Sequence, residues 1–273
     1  MQSIKDFLGT CSVIDTESTS PDAKTCDIIE LACSVYDTEN DEWRVFDQWY
    51  KPTIAIPPLS AEKHFIRDMD VADKPMFSEF QTVDTFFQIS SLVPYFVAHN
   101  EKYDRVAIQS NLKRFGLEDS TSIAMPERWF CTMRLAEKLY ADDPTVESMR
   151  LTYLWFRLGL CNCTDKLIVP HKADSDIFMA GKLFEYLVEE MVKRGIVDLN
   201  SSVELGQQIH AFQTAPRKIT NWPFGKHKGV SMDLVPMDYF AWCIENMSCF
   251  NEDADDFNPD LTAAVIEQYK KRG

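Results

Sequence analysis

Cys11-Ser12-Val13-Ile14-Asp15-Thr16 is an apolar run that ends on a carboxylate, and it reads as a strand. Two further runs join it. Residues 28–36 are apolar and β-rich, and residues 42–50 alternate Trp43, Val45 and Trp49 with polar partners. The short Asn40-Asp41 connection predicts a hairpin, so these strands are expected to be antiparallel. Residues 51–58 hold three prolines and are expected to form an extended loop.

Helical spacing then takes over. Phe77, Phe80, Val83, Phe86 and Phe87 recur at intervals of three and four, and Ala107, Ile108, Leu112 and Phe115 mark another helix. Between them, residues 95–98 read as a short buried strand. Residues 130–139 read as a strand end running into a helix. Ile177, Gly181, Phe184, Val188 and Met191 mark a long helix over about 173–194. Three β runs followed by alternating α and β predict an α/β sandwich around a mixed sheet with flanking helices. Three regions are expected: a main domain over 1–194, a connector over 195–215 and a small C-terminal module over 216–273. The module holds a basic turn and short helices around 238–246 and 259–271, separated by the acidic loop Glu252-Asp253-Ala254-Asp255-Asp256.

The 273 residues are 45% hydrophobic and 26% charged, which excludes a disordered or fibrous chain. The net charge of −15 excludes a uniformly basic nucleic-acid coat but leaves room for a local basic groove. No apolar run approaches the roughly 18 residues a membrane span needs. Residues 1–10 carry no apolar signal core, so a cytoplasmic location is expected. The eight cysteines are scattered without a Cys-x-x-Cys pair and read as free thiols in a reducing compartment. Cys161 and Cys163 form the one close pair; two further zinc ligands are missing nearby, so they read as structural.

Asp15 and Glu17 stand two apart at a strand end, so both carboxylates project to one face. Such a pair suits a hard divalent cation; the alternative is a strand end with turn-forming acids. Asp104 follows a buried strand and falls in the first turn of the next helix, where dipole stabilisation alone would account for a lone acid. Asp176 heads a stripe with Ala180, Leu183 and Leu187 and is expected to face the protein body, with Asp174 as the capping or solvent-facing alternative. His171 lies five residues before Asp176. Alone it reads as a packed or surface histidine; beside a metal site it is a natural general base.

Together these segments resemble the three motifs of the DnaQ-like DEDD 3′→5′ exonuclease family, in its histidine subclass. Val-Ile-Asp-Thr-Glu-Ser (13–18) resembles the first, Ala-His-Asn-x-x-Tyr-Asp (98–104) the second, and His171 with Asp176 the third. The resemblance covers about residues 10–194. Residues 71–75, 129–133 and 224–229 are similar to the bacterial exonuclease X branch of that family. The resemblance implies a ribonuclease-H-like fold and two bound Mg²⁺ ions, with Mn²⁺ as a substitute. It implies Asp15, Glu17, Asp104 and Asp176 as metal ligands, and His171 as the residue that activates water. Asp15 would serve both ions, Glu17 and Asp176 one, and Asp104 the other. Thr16, Ser18, His64, Asn100 and Tyr103 are implied as substrate-facing.

The departures matter. Where the family's first motif continues Thr-Gly, this chain has Ser18-Thr19-Ser20-Pro21. The likeness to the exonuclease X branch implies that residues just past that point form a wedge between terminal bases, for which Pro21 and Asp22 are poor chemistry, so action on blunt duplex ends is not expected. DNA that is single-stranded, or has recessed or mismatched 3′ ends, is the expected substrate, with no membrane partner. RNA is the rival substrate, and a non-catalytic nucleic-acid-end binder or polymerase-associated protein the rival class. In the tail, Arg217, Lys218, Lys226 and Lys228 surround Trp222 and Phe224 with no acid between Pro216 and Gly229. That pattern suits single-stranded nucleic acid. The favoured alternative packs Trp222 and Phe224 inward against Leu234, Val235, Tyr239, Phe240 and Cys243.

Overall fold

The computed structural model describes every residue except 1–2, 83–84, 118–121, 141, 165–167, 169–171, 253, 255–256 and 273, and the side chains of residues 80–82, 122 and 173. Strands β1 (Cys11–Ser18), β2 (Ile28–Asp37), β3 (Glu42–Trp49), β4 (Tyr95–Ala98) and β5 (Trp129–Cys131) form one sheet in the order β3-β2-β1-β4-β5. The first three are antiparallel, as the hairpin signal predicts, whereas β4 and β5 run parallel to β1. The β2–β3 turn is held by Asn40, whose backbone and side-chain amides donate to Asp37, and by Asp41 at φ +60°, a conformation that Asp tolerates.

Alternation along the strands sorts the apolar side chains into two cores. Val13, Ala32, Val97 and Phe130 pack on one face with helices α1 (Ile4–Leu8), α5 (Thr132–Tyr140), α6 (Leu151–Arg157) and α7 (Ala173–Lys193). Ile14, Leu31, Phe96 and Trp129 pack on the other with α3 (Thr85–Leu92) and α4 (Glu101–Arg114). Helix α7 is the main covering element. Its Ile177, Ala180, Leu183, Phe184, Leu187, Val188 and Met191 are all buried, the stripe expected from its spacing.

Gly181 lets that helix come close to the sheet. A Cβ there would lie 2.8 Å from two atoms of the Trp43 indole on β3. Gly181→Ala gains about 1 kcal/mol of helix propensity but overpacks a core contact at a cost of roughly 1–3 kcal/mol. The expected net is a loss of up to about 2 kcal/mol, read as a lower urea midpoint; an unchanged or higher midpoint would show that the indole gives way freely.

Several elements differ from expectation. Helix α1 was not foreseen. Ser3 caps it, its Oγ accepting from the Asp6 amide at 3.0 Å, and Phe7 and Leu8 are buried in the first core. Helix α2 (Pro58–His64) begins at the last of the three prolines read as loop. The Phe77–Phe87 periodicity divides into a 3₁₀ turn at Phe77–Thr82 and helix α3, with Val83 outside the described residues.

The chain divides into two compact units, Met1–Gln213 and Thr214–Gly273. The stretch read as a connector contributes Val197, Leu205 and Ile209 to the first unit's core, the last two from helix α8 (Leu205–Thr214). The second unit has its own core of Trp222, Met232, Val235, Phe240, Cys243, Leu261 and Val265, with helices α9 (Met237–Asn246) and α10 (Pro259–Arg272). Trp222 thus points inward, with Phe224 packed against it. All eight cysteines are free thiols. Among the described residues, no helix is long and apolar enough to cross a membrane.

Candidate active site

Strands β1 and β4 run parallel, with Val13 paired to Val97, so both deliver their C-terminal ends to the same sheet edge. Beyond Val13, alternate residues of β1 face α7, which carries Asp15 and Glu17 to that side. Asp176 meets them from the first turn of α7. Oxygens of Asp15, Glu17 and Asp176 all lie within 4.8 Å of one another. Asp174 is the solvent-facing acid: it is exposed, and its carboxylate accepts from the Ser175 amide at 2.7 Å. Asp104, in the first turn of α4, is buried and accepts a 2.7 Å hydrogen bond from the Thr16 hydroxyl.

The electrostatics follow from crowding. Burial, then the charges of Asp104, Glu17, Asp176 and Glu30, hold the Asp15 carboxyl well above the usual range. Glu17 is pushed up to about 8 by burial, with Asp176, Glu30 and Asp104 adding and Lys63 opposing. Burial raises Asp104 to about 7 against the Thr16 hydrogen bond. Like charges this close cannot all ionise without a cation among them. Hard carboxylate oxygens with this clustering fit a divalent ion of the Mg²⁺ or Mn²⁺ kind.

An exonuclease family model (RNase_T) matches residues 12–184, which contain all four of these acids. The chain belongs to that exonuclease family. Exodeoxyribonuclease 10 of Escherichia coli K12 is 24% identical over 214 residues, covering 77% of this chain and 78% of the relative. Two solved structures share the fold of this exonuclease. The nuclease domain of 3′hExo, a DEDDh family member bound to rAMP, matches with TM-score 0.52 and 16% identity over 69% of this chain and 94% of that one. E. coli exonuclease I in complex with a dT13 oligonucleotide matches with TM-score 0.52 and 14% identity over 68% and 42%. These likenesses agree with the mixed sheet and flanking helices of a ribonuclease-H-like sandwich.

Next to the acids, the exonuclease has a cleft of about 570 Å³ lined by Thr16, Glu17, Ser18, Pro21, Lys63, His64 and Tyr103 among others. The Tyr103 hydroxyl hydrogen-bonds Ser18 and donates to the Ser20 carbonyl, which ties α4 to the segment after β1. His64 is buried; its Nδ1 accepts from the Ile66 amide at 3.1 Å, and burial lowers its pKa. Asn100 is exposed at φ +70° before α4. Thr16 is buried and commits its hydroxyl to Asp104. His171 lies outside the described residues.

Two residues were missed. Glu30 on β2 pairs in register with Glu17, is buried, and accepts a 2.9 Å hydrogen bond from the Trp49 indole. Burial pushes it up to about 7, with the Trp49 bond opposing and Asp47, Asp174 and Asp176 adding. A lone acid inside the apolar run Ile28-Ile29-Glu30-Leu31-Ala32 was the available signal. Lys63, in the last turn of α2, brings a cation towards Glu17; nothing in the sequence marked it.

Proposed function

We propose that this exonuclease is a metal-dependent enzyme that removes nucleotides from the 3′ ends of DNA, single-stranded or with an accessible 3′ end. The convergence of Asp15, Glu17 and Asp176 within 4.8 Å carries this reading. The relative exodeoxyribonuclease 10 supports DNA as the substrate class.

In this proposal Asp15, Glu17 and Asp176 would hold one divalent ion, and Asp15 with Asp104 would hold a second. Such ions would supply Lewis acidity to activate water and neutralise charge on the scissile phosphate. The chain's own groups do the rest. Thr16 fixes the Asp104 carboxylate through its 2.7 Å hydrogen bond. Lys63 offers the cleft a cation for a non-bridging phosphate oxygen. Ser18 and Tyr103 hold the cleft wall, and His64 and Asn100 border the substrate end. His171 takes the proton from the attacking water, a role that rests on the motif alone.

The test is incubation with a 5′-labelled single-stranded DNA oligomer, in Mg²⁺ and in EDTA, beside Asp176→Ala. The expected result is a ladder shortening from the 3′ end, lost on metal removal and in the variant. Shortening only of an RNA oligomer would reassign the substrate. No cleavage of either, in Mg²⁺ or Mn²⁺, would leave an end-binding protein.

A further inference from the structure

The basic turn of the C-terminal unit is not absorbed by the catalytic reading. Its sequence, Phe224-Gly225-Lys226-His227-Lys228-Gly229, curls over the Tyr239 ring of α9. Gly225 takes φ +61°, and a Cβ there would stand 3.1 Å from the Tyr239 hydroxyl. The His227 ring packs edge-on at 4.6 Å between centroids, and the Lys226 ammonium lies 4.8 Å from the Tyr239 centroid. Trp222, buried in the unit's core, supports Tyr239 from within at 5.5 Å.

Tyr239 in turn supports Trp242. The two rings lie 6.1 Å apart and within 17° of parallel, and Trp242 is 53% exposed. A large aromatic left open on a rigid backing is a stacking platform. Lys226 and Lys228 are both exposed and make no ion pair among the described residues. Flat aromatic surface beside exposed ammonium groups, one of them (Lys226) lying over the Tyr239 ring, is the chemistry that holds a single strand: bases stack and phosphates pair.

We propose that this face of the C-terminal unit, Trp242 and Tyr239 with Lys226 and Lys228, binds single-stranded nucleic acid. Charge complementarity selects this partner over an apolar protein surface, which would gain nothing from the two ammoniums. The choice of partner class rests on the exonuclease reading. The chain's net charge of −15 opposes a polyanion in general, so binding is confined to this local basic face.

The test uses the full chain in EDTA with a fluorescein-labelled oligothymidylate, read by anisotropy. Trp242→Ala is expected to weaken binding roughly 5- to 100-fold, while Trp242→Phe keeps most of the affinity. Replacing Lys226 and Lys228 together by Gln is expected to reduce the slope of log affinity against log salt by about 1.4. Unchanged affinity in Trp242→Ala, an equal loss in Trp242→Phe, or an unaltered slope overturns the proposal. In parallel, each variant in Mg²⁺ is given a p-nitrophenyl ester of thymidine 5′-phosphate, which offers one base and one phosphodiester. Hydrolysis of the ester with no effect of Trp242→Ala on binding overturns the platform and spares the catalytic reading. No hydrolysis by any chain, with the Trp242→Ala loss present, overturns the catalytic reading and supports the platform.

Discussion

Asp15→Asn is expected to reduce nucleotide release by on the order of 10³-fold or more while leaving the fold intact. The substitution keeps shape and removes charge. Asp15 clusters with Glu17 and Asp176 within 4.8 Å and also feels the charge of Asp104. In the proposed mechanism it is the acid shared by both ions, so its loss removes both. Isothermal titration with Mn²⁺ should show metal binding disappear with the activity. Because an unneutralised buried carboxylate is itself unfavourable, the metal-free variant is expected to melt at or above the metal-free wild type. Retained activity would remove Asp15 from the metal site.

The second large effect is on stability, and its sign follows from the raised carboxylates. Glu17 at about 8 and Asp104 at about 7 keep protons in the folded chain that the unfolded chain has released. In EDTA the folded state therefore binds more protons than the unfolded one between the ordinary carboxylate range and about pH 8. Stability must fall as pH rises through that window and level off above it. In a unit of this size each lost kcal/mol lowers the melting midpoint by roughly 2–4 °C. Saturating Mg²⁺ replaces the protons, so it should flatten or reverse the slope, and its stabilisation should grow with pH. A metal-free midpoint that rises from pH 5 to 8 would contradict the crowding described above.

Much of this was legible in the sequence. The run ending at Asp15 reads as a strand because apolar residues stop abruptly at a carboxylate, and the α7 stripe reads as buried because seven apolar positions keep helical phase. Asp176 was separable from Asp174 by the same phase, and the structure places them accordingly. What was missed needed geometry or short-range cap chemistry. Glu30 gains meaning only when the β1–β2 register sets it against Glu17. Helix α1 has five residues, too few for a periodic signal, although Ser3 and Asp6 spell a capping box. The prolines at 57 and 58 were read as breakers, whereas Pro at the first helical position starts a helix, and Lys63 and His64 ride on it. The basic tail was a harder case. Its aromatic residues do turn inward at Trp222, yet the exposed indole belongs to α9, outside the cluster that drew notice.

The alternation along β1 has a mechanical consequence. Asp15 and Glu17 face the layer of α7, while the intervening Thr16 reaches through its hydroxyl to Asp104 on α4, in the opposite layer. The two cores thus share a seam at the sheet's edge, stitched by one strand. A cation seated there would act as a rivet joining both layers; without it the seam holds by keeping protons, and repulsion sets in only as rising pH strips them away.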